Sequence, residues 1–192
     1  MKRKRMRLVL MVLTVILSLN LGSIVEASSA ATPFSSHRWR QPEVTYVFKT
    51  KSNYYRSIYK KAIKAWNKTG DFKFIAGTSK DHDVVLTTST ATTGKYNMLA
   101  GITFTKANSV GYFTSATVKL LRKNLATYKY SKADRVHVAE HELGHVIGLQ
   151  HSTNSHSVMM ANNRYNAIAG VDKTAVAKRD IMAVGKSSLS LQ

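Results

Sequence analysis

Alternating apolar and polar residues predict five β-strands after residue 40. Each run is short, rich in β-branched or aromatic residues, and bounded by turn-forming residues, which is typical of strands rather than helices. The predicted strands are Glu43–Phe48, Phe72–Ile75, Asp83–Thr87, Met98–Thr105 and Ala116–Leu121. The stretch 87–97, rich in Thr, Ser and Gly, is predicted to be a loop.

Apolar residues at helical spacing predict a first helix between the first two strands. It begins at Ser52 or Asn53, runs to about Lys68 and ends at Gly70. Its apolar face is formed by Tyr55, Ile58, Tyr59, Ala62 and Trp66, and its solvated face by Lys60, Lys61, Lys64 and Lys68.

Two more helices are predicted in the second half of the chain. Ser131 and Asp134 have the spacing of a capping box and predict where the second helix begins. The last helix spans about Lys173 to Ala183, and its predicted core contacts are Val176, Ile181 and Val184.

The N-terminus has the pattern of a secretory signal peptide. Residues 1–7 are strongly basic, residues 8–21 are apolar, and small residues follow through Ala30. The apolar run is shorter than the roughly 20 residues that span a bilayer, so an uncleaved anchor is the weaker alternative. We predict a signal peptide over 1–27, with cleavage after Ala27 or as late as Ala30, then a short N-terminal segment over 28–40 and one folded domain over 41–192.

Composition limits the partners and the means of stabilisation. The chain has no cysteine, so the exported protein depends on its core and not on disulfides. Without residues 1–27 it has 24 basic and 9 acidic side chains, hence a charge of +15. Such a field favours anionic partners, for example cell-wall polymers, but no motif indicates specific nucleic-acid binding. We expect a monomer.

A candidate metal-binding motif runs from His141 to His151 and has the form H-E-x-x-H-x-x-G-x-x-H. On a helix, His141 and His145 lie on one face and can bind one ion. Gly148 can adopt the left-handed conformation that ends a helix, so the chain can bring His151 to the same ion. Three histidines leave a fourth position for water, as in catalytic zinc sites. Glu142 is close enough to act on that water as a base.

With Met159 eight residues after the third histidine, this segment resembles the matrixin branch of the metzincins. The resemblance implies an α+β domain with a twisted, mostly parallel five-stranded sheet, three helices, and a zinc cleft between upper and lower subdomains. It also implies that Met159 forms the methionine turn beneath the metal. In that family an edge strand binds the substrate as an added antiparallel strand, and Leu99, Ala100 and Gly101 occupy that position here.

The chain departs from the family in ways that affect specificity. Matrixins usually continue Met-Tyr-Pro, whereas this chain continues with Met160 and Ala161, so the wall of the specificity pocket is not predicted. Tyr165 is a candidate for lining that pocket. No acidic loop has calcium-binding spacing, so Ca²⁺ has no support from the sequence. Without cysteine, the cysteine switch that keeps animal matrixins latent cannot form.

The other four histidines are interpreted as non-ligands. His137 is eight residues from His145, about 12 Å along a helix, which is too far to share one zinc without strain. It is predicted to pack or to support the ligands. His82 and His156 are predicted to be surface residues, and His37 carries no signal.

These features predict a secreted zinc endopeptidase that hydrolyses polypeptides with His141, His145 and His151 as ligands and Glu142 as general base. The alternative is a cell-envelope binding protein whose zinc is structural; it has no need of a glutamate beside the metal.

Overall fold

The computed structural model describes residues 31–188, and a five-stranded sheet forms its centre. The strands are β1 (Glu43–Phe48), β2 (Lys73–Ala76), β3 (Val84–Ser89), β4 (Gly101–Ala107) and β5 (Phe113–Leu121). Their order is β2-β1-β3-β5-β4. All neighbouring pairs are parallel except β4 with β5, which is antiparallel. The predicted α+β fold with a mostly parallel sheet is therefore confirmed, and β4 is an edge strand.

Helices contribute apolar side chains to the same buried core as this sheet. They are α1 (Asn53–Thr69), α2 (Arg122–Thr127), α3 (Lys132–Ile147) and α4 (Gly170–Ile181). The Ser52 side chain caps α1, and Gly70 ends it at φ +98°. The predicted apolar face of α1 is buried. In that face, Trp66 donates a hydrogen bond of 2.8 Å from its indole nitrogen to the Glu140 carbonyl of α3.

Strand β4 begins three residues later than the sequence pattern indicates. Met98 has a positive φ of 59°, which breaks the extended conformation. The Asn124 amide nitrogen of α2 donates to the carbonyls of Tyr96 and Leu99, at 2.8 Å each, and holds this loop against the sheet. The apolar run that includes Met98 and Leu99 was predicted as strand, but a side-chain contact from a distant helix keeps it outside the ladder.

The structure differs from the predicted helices in two places, at α2 and at α4. The short helix α2 was not predicted. Helix α4 begins at Gly170 rather than Lys173, because the Asp172 carboxylate accepts the Ala169 backbone N–H and fixes the first turn earlier. Ile181 is 86% exposed, so its assignment to the core was wrong. It follows Val176 by five residues, which places it about 140° around the helix from that fully buried residue.

The segment 31–40 packs against the end of α3. The Trp39 indole donates to the Val146 carbonyl at 2.8 Å. Backbone bonds join Ser35 N–H to the Gly148 carbonyl and Gln150 N–H to the Pro33 carbonyl. The predicted signal peptide lies outside the described residues. Across residues 31–188, no helix combines the length and apolar character needed to cross a membrane.

Candidate metal centre and cleft

Local sequence signals fix both ends of helix α3. At its start, the Ser131 hydroxyl accepts the Asp134 N–H and the Asp134 carboxylate accepts the Ser131 N–H, as the capping box predicts. At its end, Gly148 has φ +112° and turns the chain back. A side chain at that φ would be strained, so glycine suits this turn. The turn carries His151 back towards the α3 face that presents His141 and His145.

The three imidazoles meet at one point. One ring nitrogen from each of His141, His145 and His151 lies within 4.8 Å of the others. The Nε2 atoms of His141 and His145 are 3.1 Å apart. Two nitrogens that bind one tetrahedral zinc at about 2.0–2.1 Å are separated by about 3.3 Å. The spacing of this pair therefore fits two ligands of a single zinc ion.

Hydrogen bonds to the backbone orient two of the rings. The Nδ1 atom of His141 lies 2.8 Å from the Val158 carbonyl, and Nδ1 of His145 lies 2.9 Å from the Leu149 carbonyl. A carbonyl can only accept, so each Nδ1 carries the proton and each Nε2 presents a lone pair. This tautomer is the one that a metal needs, and such partners typically fix the orientation of metal-binding histidines.

The electrostatics also favour neutral rings. Burial, followed by the neighbouring imidazoles, lowers the pKa of His141 to about 3. Burial is also the main reason that the pKa of His145 falls to about 4. Both side chains are therefore neutral near pH 7, so no proton has to leave before they bind a metal. A donor set of three imidazoles fits zinc.

Met159 lies in a turn that we call the methionine turn, and its side chain packs against α3 at Gly144. It is fully buried. A β-carbon at Gly144 would overlap its sulfur atom and lie 3.4 Å from the Trp66 ring, so the glycine in α3 permits this close approach. The flexible thioether fills the irregular space under the helix. Met159 thus packs against α3, the helix that carries His141 and His145.

A buried aspartate, which the sequence reasoning missed, anchors the methionine turn. Asp172 of α4 is fully buried. Its carboxylate accepts hydrogen bonds from the hydroxyls of Thr32 and Ser157 and from the backbone N–H groups of Val158 and Ala169. One of these donors belongs to Val158, whose carbonyl orients His141. The only signal in the sequence was an acidic residue directly before the predicted start of the last helix at Lys173, which normally indicates a cap.

Glu142 lies between the imidazoles and strand β4. It is buried, and its Oε2 atom accepts a 2.6 Å hydrogen bond from the Thr103 hydroxyl. A β-carbon at Gly101 would lie 2.7 Å from Oε1, so glycine leaves space for the carboxyl group. Burial raises the pKa of Glu142 to about 7, against the opposing hydrogen bond from Thr103. Thr103 is a second residue that sequence reasoning missed.

A cleft of about 210 Å³ opens at this point. It is lined by residues of β4 and the chain before it, by α3, and by the chain after Met159. Leu99, Ala100 and Gly101 all lie on its wall, together with Ala161 and Asn163. Tyr165 is 72% exposed and does not line the cleft, so the structure does not bring this predicted residue to the site.

The remaining histidines lie outside the cluster. His137 is half-buried and its Nδ1 lies 3.2 Å from the Arg164 carbonyl, a packing position. His82 is half-buried with Nδ1 3.1 Å from the Thr78 carbonyl. His156 is exposed in the loop before Met159. His37 is exposed and stacks on Phe113 at 5.8 Å between ring centroids.

The fold and the three-histidine cluster with its adjacent glutamate define a zinc metalloendopeptidase of the metzincin type. Comparison with family models gives the narrower assignment, since the matrixin model matches residues 38–186. The match covers most of the chain, so the chain belongs to the matrixin family. A comparison with functionally curated proteins gave no match.

Proposed function

We propose that this chain is a secreted endopeptidase in which His141, His145 and His151 hold the zinc ion and Glu142 is the general base. The observation that carries the proposal is the position of Glu142. Its carboxyl group is buried between the imidazole cluster and the cleft wall formed by β4. A purely structural zinc site gives no reason to keep a buried acid there, because burial disfavours its charged form.

The chemistry divides between the ion and the carboxyl group. Bound zinc would polarise the scissile carbonyl and lower the pKa of a water towards about 7. Glu142 accepts the proton of the attacking water and later delivers it to the leaving amine. Thr103 holds one carboxyl oxygen through its 2.6 Å hydrogen bond, which leaves the other oxygen for proton transfer.

Strand β4 supplies the binding surface for the polypeptide. It pairs with β5 on one side and is the last strand of the sheet on the other. An open strand edge offers unpaired N–H and C=O groups, which bind an extended segment as an added strand. Residues 99–101 lie at the cleft and begin this edge. An extended polypeptide bound there passes directly over Glu142.

Export and retention at the cell envelope belong to the same proposal. Support comes from the N-terminal pattern and from the +15 charge that remains after residue 27. A field of this sign attracts anionic wall polymers at long range. The runner-up is an envelope-binding protein with a structural zinc ion, which predicts zinc binding without any peptide cleavage.

The test is digestion of casein by purified protein whose zinc content has been measured. We expect one zinc ion per chain, cleavage that a chelator abolishes, and recovery when zinc is added back. Stoichiometric zinc without cleavage of casein or of a mixed peptide library would support the structural-zinc alternative. Absence of a transition metal would overturn both functions.

A further inference from the structure

Two lysines and two aromatic rings form a cluster on the outer face of the sheet, beside the open edge. Lys95 lies with Nζ 4.7 Å from the centroid of the Phe104 ring, and Lys119 with Nζ 5.5 Å from the same ring. The Tyr96 ring is 5.5 Å from the first ammonium and 6.0 Å from the second. We call Lys95, Tyr96, Phe104 and Lys119 the outer cluster.

Strand alternation places this cluster next to a bound substrate. Thr103 points towards α3, where it bonds Glu142, so Ile102 and Phe104 point to the opposite face. Lys119 is directly opposite Ile102 in the β4–β5 register and shares that face. In a strand added along β4, every second side chain therefore lies on the outer face beside Phe104.

Within residues 31–188, the charges of the outer cluster are not neutralised. In residues 31–188 the one ion pair is Arg164 with Asp134, so neither ammonium of the cluster has a carboxylate partner. The aromatic faces hold the ammonium groups near the edge, because ring quadrupoles attract cations. The cluster thus presents two positioned positive charges to whatever lies along β4.

We propose that the outer cluster selects acidic side chains on the N-terminal side of the scissile bond, so that the preferred substrates are extended, acidic polypeptide segments. This inference rests on the proposed function and on antiparallel addition of the substrate. The Glu142 carboxyl lies by Gly101 and Thr103. An antiparallel partner has its N-terminal part towards the C-terminal end of β4, where Phe104 lies. The residues before the cut therefore lie beside the cluster.

The test uses internally quenched peptides built around a bond that the enzyme cuts in casein. At each of the second, third and fourth residues before the cut, matched peptides have Asp, Asn or Lys. We expect kcat/KM to favour Asp over Asn by about threefold to tenfold at an outer-face position, mostly through KM, since one partly exposed charge pair contributes a few-fold. Lys should be the poorest, and the preference should weaken as salt increases.

The decisive variant is the double substitution Lys95→Gln and Lys119→Gln. The matched control is Lys60→Gln with Lys61→Gln on α1, which removes the same charge from exposed residues outside the outer cluster. We expect the ratio of kcat/KM for the Asp peptide to kcat/KM for the Asn peptide to fall to about one in the first double variant. In the control, this ratio should stay as high as in the unmodified protein. An unchanged ratio in the first variant, an equal fall in both, or no preference in the unmodified protein would each overturn the inference.

A binding measurement separates this inference from the proposed function. Labelled Asp- and Asn-containing peptides are bound to the zinc-loaded Glu142→Gln protein and followed by fluorescence anisotropy. A preference for Asp that depends on Lys95 and Lys119, in a protein whose unmodified form cleaves nothing, would reject the endopeptidase and keep acidic recognition. If the protein cleaved Asp- and Asn-containing peptides equally well, the endopeptidase function would be kept and acidic recognition would be rejected.

Discussion

The two walls of the cleft are built differently. The metal-facing wall consists of α3, the turn to His151 and the methionine turn, and buried hydrogen bonds fix it at several points. The substrate-facing wall is the β4 edge with the chain before it, where Met98 is 70% exposed and Leu99 is 38% exposed. The Thr103 hydroxyl joins the two walls, because it lies 2.6 Å from a carboxyl oxygen of Glu142 and 3.0 Å from the backbone carbonyl of the same residue.

The two walls differ because binding a metal ion and binding a polypeptide have different structural requirements. Metal ligands must be held in place before the ion binds, so their partners are buried backbone carbonyls and a buried carboxylate. A site for extended polypeptide needs free backbone groups and accessible side chains, so it has to remain open. Substitutions on the metal-facing wall should therefore cost activity or stability, whereas those on the open wall should change selectivity.

The largest expected effect comes from Glu142→Gln. The amide keeps the size of the side chain but cannot accept the proton, so kcat should fall by about a thousandfold or more. Zinc content and melting temperature should stay close to those of the unmodified protein, because Gln can still accept the hydrogen bond from Thr103. Casein cleavage, metal analysis and thermal unfolding together test this.

Glu140→Gln is the matched control for that substitution. Glu140 is also a buried glutamate of α3, but it lines a different cleft with Ala65 and Ile168. Its variant should retain most of the activity. Undiminished cleavage by Glu142→Gln would contradict the proposed role of Glu142 as general base. Equal losses of kcat in both variants would also contradict it, because the effect would then not be specific to Glu142.

The metal cluster could be anticipated from the sequence, but the partners of the ligands could not. The three histidines lie within eleven residues of the sequence, so one helix and one glycine turn are enough to bring their side chains together. Thr103 and Asp172 contact the site through strand pairing and helix packing across long stretches of chain. Ser, Thr and Asp occur so often at caps and in strands that their type gives no indication of such contacts.

Elements with strong local periodicity could be predicted from the sequence, and boundaries set by distant side chains could not. Helix α1 and strand β1 have strong periodicity and clear boundaries, and the structure agrees with both. The start of β4 was misplaced because Met98 and Leu99 are apolar but lie in a loop that Asn124 holds. Ile181 was assigned to the core because it is apolar, but it lies about 140° around α4 from the buried Val176 and is exposed.

A smaller but still large effect is expected from Asp172→Ala. The change leaves two hydroxyls and two backbone N–H groups without their buried acceptor. Such losses typically cost about 3 kcal/mol, and more when several donors share one acceptor. We expect a melting temperature lower by about 6–12 °C and weaker zinc binding. Thermal unfolding and a chelator competition measure the two effects.

Lys173→Ala provides the control on the same helix, because the Lys173 side chain is exposed. Its stability and zinc affinity should be nearly unchanged. Were Asp172→Ala to unfold no more easily than Lys173→Ala, the methionine turn would not depend on this carboxylate. The metal-facing wall would then owe its rigidity to packing around Met159 and to the hydrogen bonds of His141 and His145.

The smallest effect tests the start of α3, where the metal-facing wall begins, through the pH dependence of stability. Burial raises the pKa of Asp134, but hydrogen bonds from Arg164 and Ser131 outweigh it, so the folded pKa lies below the ordinary value. The resulting stability is present above the unfolded pKa of about 3.9 and is lost as pH falls through the lower folded pKa. Asp134→Asn should therefore cost about 1 kcal/mol near pH 7, and the difference from the unmodified protein should vanish in strong acid. Because both proteins protonate their histidines alike, the difference isolates Asp134.

Asp81→Asn, on the exposed turn between β2 and β3, is the control. A pH-independent cost for Asp134→Asn would mean that the capping geometry, and not the charge, stabilises the helix that holds the ligands.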